Sequence, residues 1–160
     1  MIQIRFDDLA EFDFDDYDDD ELEAIEDAVI DNLGRVIIVG NTRPPGAPAL
    51  AFDPYLCRFT ANGFPDTTFG TGGGFCRSYP VNAVADGSDY ATAATADGGA
   101  IYVAGQVQRD TQNDYDFLVL KIRDSDGTLV TAFNGDGILY IPFDINSVGP
   151  GGDTDGALAI

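Results

Sequence analysis

Carboxylates crowd the start of this chain: Asp7, Asp8, Glu11, Asp13, Asp15, Asp16, Asp18, Asp19, Asp20, Glu21 and Glu23 lie in one short stretch. Acids packed this closely repel one another, and a hard divalent cation relieves that repulsion. Ca²⁺ takes about six to eight oxygen ligands, so Asp13, Asp15, Asp16, Asp18, Asp19 and Asp20 are candidate calcium ligands. No Asp-x-Asp-x-Asp-Gly loop with a distal Glu is present, however. The competing reading is a solvated acidic loop inserted before the first complete structural unit. Phe12, Phe14 and Tyr17 alternate with these acids, as on a short edge strand that turns its rings inward.

Catalytic chemistry has little else to use. The chain holds no histidine, which excludes His-based triads, His-ligated zinc and an imidazole general base. Paired carboxylates hydrolyse glycosides when they stand roughly 5 to 9.5 Å apart in a cleft. Among so many acids chance pairs are expected, and no apolar setting singles one out. Asp124-Ser125-Asp126-Gly127 and Asn134-Gly135-Asp136-Gly137 look like half calcium loops, and Gly-rich Phe69 to Gly74 superficially like a phosphate cradle. The first two read as turns. The third joins two strands and lacks a following Gly-Lys-Ser/Thr. The expectation is a protein without enzymatic activity and without a resident cofactor, calcium being the one candidate.

Those residues need a scaffold, and the scaffold shows as an internal repetition. Gly34-Arg35-Val36-Ile37-Ile38-Val39-Gly40 returns as Gly99-Ala100-Ile101-Tyr102-Val103-Ala104-Gly105. Tyr55 to Gly63 lines up with Val119 to Gly127, and Phe69 to Gly73 with Phe133 to Gly137, at a spacing of about 64 residues. Each copy reads as four strands: Ala24 to Ile30 or Tyr90 to Ala96, Val36 to Val39 or Ile101 to Ala104, Tyr55 to Thr60 or Phe117 to Arg123, and Phe75 to Val81 or Ile138 to Phe143. These runs are rich in Val, Ile, Tyr and Phe and are bounded by Gly, Asn and Asp, the pattern of antiparallel strands joined by tight turns. Leu22, Ile25 and Val29 have helical spacing, but the alignment places them on a strand. Partial copies flank the two: a strand Ile2 to Phe6, and a first strand Gly156 to Ile160 of a further unit.

Cys57 and Cys76 fall on neighbouring strands of one hairpin. A disulfide there closes a loop of about 20 residues and stabilises by roughly 3 kcal/mol; two buried thiols are the alternative. The same alignment puts Lys121 and Tyr140 at the matching positions of the second copy, so the pair is not part of the common plan.

The ordered motifs, namely Asp89-Tyr90-Ala91-x-Ala93, Asp97-Gly98-Gly99, Tyr115-Asp116-Phe117-Leu118-Val119-Leu120, Asp126-Gly127-Thr128-Leu129 and Phe133-Asn134-Gly135-Asp136-Gly137, resemble the bacterial delta-60 repeat, a β-propeller-like repeat. The resemblance covers most of residues 18 to 160, and residues 8 to 21 depart from it. It implies propeller-type blades and a secreted or cell-surface bacterial setting, and it carries no catalytic residues across. The expected architecture is therefore all-β, with two four-strand antiparallel propeller-type blades and one extra strand at each end. Residues 1–23 form a partial unit with the acidic loop, 24–81 the first blade, 82–144 the second, and 145–160 a loop and first strand. Propellers typically need about four to eight blades, so the edges here call for completion. Further units, copies of this chain, or the two end strands meeting in one compact sheet arrangement would supply it.

Composition agrees with a folded domain: 44% hydrophobic and 11% aromatic residues make the chain neither disordered nor membrane-spanning. Met1-Ile2-Gln3-Ile4-Arg5 lacks the basic end and apolar stretch of a signal peptide, which suggests a cytoplasmic chain or an excised segment, and the mid-unit start favours the segment. A net charge of -20 repels phosphate backbones and anionic lipid, so nucleic-acid binding and membrane insertion are not expected. The acids are nearly all Asp, and Lys121 is the one lysine among eight basic residues. Asp-favouring turns explain part of that bias, and cation-rich surroundings that screen self-repulsion explain the rest. The resulting expectation is a non-enzymatic structural or interaction module of an exported protein, using strand-connecting loops to meet a protein or glycan ligand or other copies of the unit. Its rivals are a calcium-dependent adhesion module built on the acidic run and a carboxylate glycosidase.

Overall fold

The computed structural model describes residues 24–43, 51–81, 87–109 and 115–142. They form an all-β structure of two four-stranded antiparallel sheets, with one short 3-10 turn at Thr71–Gly73. Sheet 1 holds β1 (Ala24–Ile30), β2 (Val36–Thr42), β3 (Asp53–Phe59) and β4 (Cys76–Ser78), in that order across the sheet. Sheet 2 holds β5 (Asp89–Asp97), β6 (Ala100–Gln108), β7 (Tyr115–Arg123) and β8 (Ile138–Ile141), in the same order. The expected end strands Ile2 to Phe6 and Gly156 to Ile160, and the acidic run, lie outside the described residues.

Local chemistry explains the strands and their turns. The residues of β7 alternate between half-exposed and buried, the two-residue period of a strand with one face in the core. At the β1–β2 turn the Asp31 carboxylate accepts the N–H groups of Leu33 and Arg35, both at 2.9 Å, which fixes a tight turn. The first strand runs through Ile25 and Val29 as a strand, because its backbone pairs with β2 along the whole length.

Only β1 keeps both ends of the sequence reading; most other strands begin or end elsewhere, β3, β5 and β7 starting one or two residues earlier. β2 runs on to Thr42 and β6 to Gln108, past Gly40 and Gly105, which read as strand-ending glycines. Gly105 is there for space: a Cβ would stand 1.8 Å from the carbonyl oxygen of Tyr90. It pairs with Ala91 beside a bulge at Thr92, and Gly40 pairs with Ile25 beside a matching bulge at Glu26. β8 stops at Ile141, before Pro142, whose missing N–H cannot extend the ladder. β4 is shorter than expected, ending at Ser78.

The pairing also corrects the alignment of the third strands. Ile37 pairs with Arg58 and Tyr102 with Lys121, so Arg58 matches Lys121, one residue nearer than the 64-residue spacing predicts. Asp53 then matches Asp116. Cys57–Cys76 matches the cross-strand pair Leu120–Ile138, instead of Lys121 and Tyr140. The extra residue sits in the following turn: Gly63 N–H closes onto Thr60 O, whereas Gly127 N–H reaches back to Arg123 O.

The core lies between the sheets. Ile37, Val39, Leu56 and Phe69 from sheet 1 meet Ile101, Val103, Leu118, Leu120 and Ile122 from sheet 2, all fully buried. β5, the edge strand of sheet 2, lies against β1, β2 and β3. Sheet 2 thus turns one face to sheet 1, and its other face carries Tyr102, Val119 and Lys121.

Candidate functional site

The densest polar arrangement among the described residues is where sheet 1 receives the turn 124–127 of sheet 2. Arg58 is fully buried on β3 and points into the junction. Its Nε donates to Asp66 Oδ2 at 2.9 Å and its Nη2 to Thr68 Oγ1 at 2.8 Å. The Nη1 group donates to the carbonyl oxygen of Asp124, and Nη2 also reaches that of Ser125 at 3.4 Å. The guanidinium carbon stands 4.7 Å from the centre of the Phe69 ring. A buried cation needs this completeness, since an unpaired guanidinium would carry its whole desolvation cost.

Neighbouring groups close the same turn. Tyr79 is buried and its hydroxyl donates to Gly127 O at 2.8 Å, while burial pushes the phenol up from its ordinary pKa. Gly127 has φ +70°, and a Cβ on it would lie 2.5 Å from Phe69 O. Arg35 completes the ring: its Nε meets Asp31 at 2.5 Å and its Nη2 meets Asp124 Oδ2 at 3.3 Å.

Two side chains clip the edge of β5 to sheet 1. Asn41 behaves as a detached peptide group, accepting the Ala91 N–H at 2.7 Å and donating to the Ala91 carbonyl at 3.2 Å. Asp27 Oδ2 accepts the Ala94 N–H at 2.8 Å. Backbone groups of an edge strand that no neighbouring strand can reach are satisfied in this way.

The carboxylates are engaged by their surroundings. Burial alone would raise Asp66 and Asp31, but hydrogen bonds from Thr68 and Arg58, and from Arg35 and Leu33, hold both below the ordinary value. The N–H and hydroxyl of Thr128 hold Asp126 down. Asp116 pairs with Arg109 at 3.2 Å. Asp53 goes the other way: burial raises it against a 3.4 Å contact from Ser78.

The predicted site residues fall as follows. Asp13, Asp15, Asp16, Asp18, Asp19 and Asp20 lie outside the described residues. Among the described residues no group of three or more His, Cys, Asp or Glu side chains could hold a metal ion. Asp126 and Asp136 cap their own turns, Asp136 by accepting the Ile138 N–H at 2.9 Å. Cys57 and Cys76 are joined as a disulfide between β3 and β4, with a sequence separation of 19. They sit on the face of β3 opposite Arg58, so the bond staples sheet 1 and leaves the junction alone.

Arg58, Phe69, Tyr79, Asn41 and Asp27 were not singled out from the sequence. One signal was present: Arg58 shares the inward parity of Leu56 on a strand, in a chain where cations are rare. Neither the known family models nor the curated proteins yield a match to this chain.

Proposed function

We propose that the chain is a non-enzymatic structural or interaction module of an exported or cell-surface bacterial repeat protein, its two sheets serving as propeller-type blades. The observation that carries this reading is the junction itself. The same strand order and bulge position recur in both sheets, and the turn of one is seated on the face of the other by Arg58, Tyr79 and Phe69. The buried acids described above serve as acceptors for backbone and side-chain donors, an architectural use. The strand-connecting loops are left to meet a protein or glycan ligand, or further copies of the unit. Among the described residues no helix is long and apolar enough to cross a membrane.

Export is testable through the Cys57–Cys76 bond, because a disulfide persists in an oxidising compartment and is reduced in the cytosol. Alkylation of the protein taken directly from its native cells, before any exposure to air oxidation, should find both cysteines blocked. Reduction should then lower the unfolding free energy by about 3 kcal/mol, measured by urea denaturation with and without reductant. Two freely alkylated thiols in the native material would contradict the exported setting.

A further inference from the structure

Among the described residues, the outer faces of the two sheets differ from the junction at matched positions. On sheet 1, Ile25 is 64% exposed, whereas its match Ala91 on sheet 2 is fully buried under Asn41. Gly63 has φ +84° and open space where a Cβ would go, whereas its match Gly127 is pressed against Phe69. Ala61 and Asn62, beside it in the turn, are exposed. Ile30, Leu33 and Phe64 are exposed on sheet 1 as well. Among the described residues, sheet 1 is therefore open at Ile25 and Gly63, the places where sheet 2 is covered at Ala91 and Gly127, while Val36, Ile38, Tyr55 and Phe59 on the same face are half-buried.

Sheet 2 presents the other half on its outer face. Lys121 occupies the place of Arg58, and its ammonium stands 5.0 Å from the Tyr102 ring centre and 5.9 Å from that of Phe133. Phe133 occupies the place of Phe69. Gln106 occupies that of Asn41 and Ile141, 44% exposed, that of Tyr79. Val130 and Ala132 stand where sheet 1 has Asp66 and Thr68. The acceptors that share Arg58 within sheet 1 are thus replaced by apolar groups, and among the described residues the ammonium of Lys121 meets rings and no hydrogen-bond acceptor. Its three donors are free for carbonyl oxygens arriving from outside.

We infer that the outer face of sheet 2 is a turn-receiving site for sheet 1 of a second copy of this chain, with Lys121 donating to the carbonyl oxygens of the 61–62 turn. The contact continues the existing junction by one step, head to tail, and the incoming turn is neutral at Ala61 and Asn62 where its counterpart carries Asp124 and Asp126. That neutrality suits a chain of net charge -20, in which acids at the contact would repel. The inference rests on reading the two sheets as matched units; the alkylation test above concerns export only, so the two can fail separately.

A head-to-tail contact uses two different faces, and that makes it separable by mixing. Sedimentation of the intact protein should show its mass rising above 17.0 kDa with concentration, and more strongly in high salt, where self-repulsion is screened. Lys121→Glu blocks the receiving face and Ile25→Asp the inserting face, and each variant alone should remain monomeric with the melting temperature of the parent. An equimolar mixture should form a two-chain species, because one sound junction can still be made. Lys121→Arg, which copies sheet 1, should tighten association by about tenfold. A parent that stays monomeric up to about 1 mM, variants that associate like the parent, or a mixture that does not form the two-chain species would each overturn the inference. If a variant is destabilised, Gln106→Glu on the receiving face and Asn62→Glu on the turn give the same pair of blocks.

Discussion

Replacing Arg58 by alanine is expected to lower the free energy of unfolding by about 3 to 5 kcal/mol, the range for removing one partner of a buried, hydrogen-bonded ion pair. The substitution strands several groups at once: the Asp66 carboxylate, the Thr68 hydroxyl, and the Asp124 and Ser125 carbonyls. It also leaves a cavity beside the Phe69 ring. Arg58→Lys should recover part of the loss, because an ammonium can serve the ring and one or two acceptors but not the planar fork. Urea denaturation followed by both tyrosine fluorescence and far-ultraviolet circular dichroism checks the size and whether the sheets still unfold together. A loss under about 1 kcal/mol would mean that the junction is held by apolar contact alone.

Acid should act on the same point. Asp66 has its folded pKa held below the unfolded value, so its stabilising contribution is present above the unfolded pKa and is lost as pH falls through the folded one. In Arg58→Ala that acid sensitivity should shrink, since the guanidinium that helps to hold Asp66 down is gone.

Gly63→Ala and Gly127→Ala form the second large prediction, as a matched pair. Both glycines hold positive φ at the same place in equivalent turns, +84° and +70°, so both alanines suffer the same left-handed strain of about 1 kcal/mol. Only at Gly127 does the added methyl meet the partner sheet, at 2.5 Å from Phe69 O and 3.2 Å from its ring. Gly127→Ala should therefore cost about 3 kcal/mol or more, since the turn must lift off Phe69 and pull Gly127 O away from Tyr79. Equal losses in the two variants would show that the turn does not press on sheet 1 in solution.

Much of the fold was legible because its signals are local. The Val, Ile and Tyr runs with Asn-Gly and Asp-Gly turns fix strands and their antiparallel order, and β1 begins and ends at Ala24 and Ile30 as read. Strand ends were missed where a glycine serves close approach, since Gly105 beside Tyr90 O looks in sequence like any strand-ending glycine. The one-residue error in matching β3 with β7 has a different root. Gly63 and Gly127 align, but the turn before Gly127 is a residue longer, and only the hydrogen-bond register shows which side of the strand absorbs it. The junction was not legible, because Arg58 meets Asp124 and Ser125 across 66 and 67 residues of chain, and sequence spacing says nothing about which carbonyls a strand cation will find. The described carboxylates that hold the structure stand outside the acidic run: Asp27 clips β5, Asp31 fixes the β1–β2 turn, Asp66 meets Arg58, and Asp126 and Asp136 cap their own turns.

The 124–127 turn of the second sheet is seated on the first by Arg58 and Tyr79. Nuclear Overhauser contacts across that seat test it most directly, with the protein selectively labelled at tyrosine and glycine. The account predicts cross-peaks from the Tyr79 ring and hydroxyl to the Hα protons of Gly127, 48 residues away, and a hydroxyl proton slow enough in exchange to be seen. Loss of those cross-peaks in a protein whose β3–β4 contacts around Cys57 and Cys76 remain intact would contradict it.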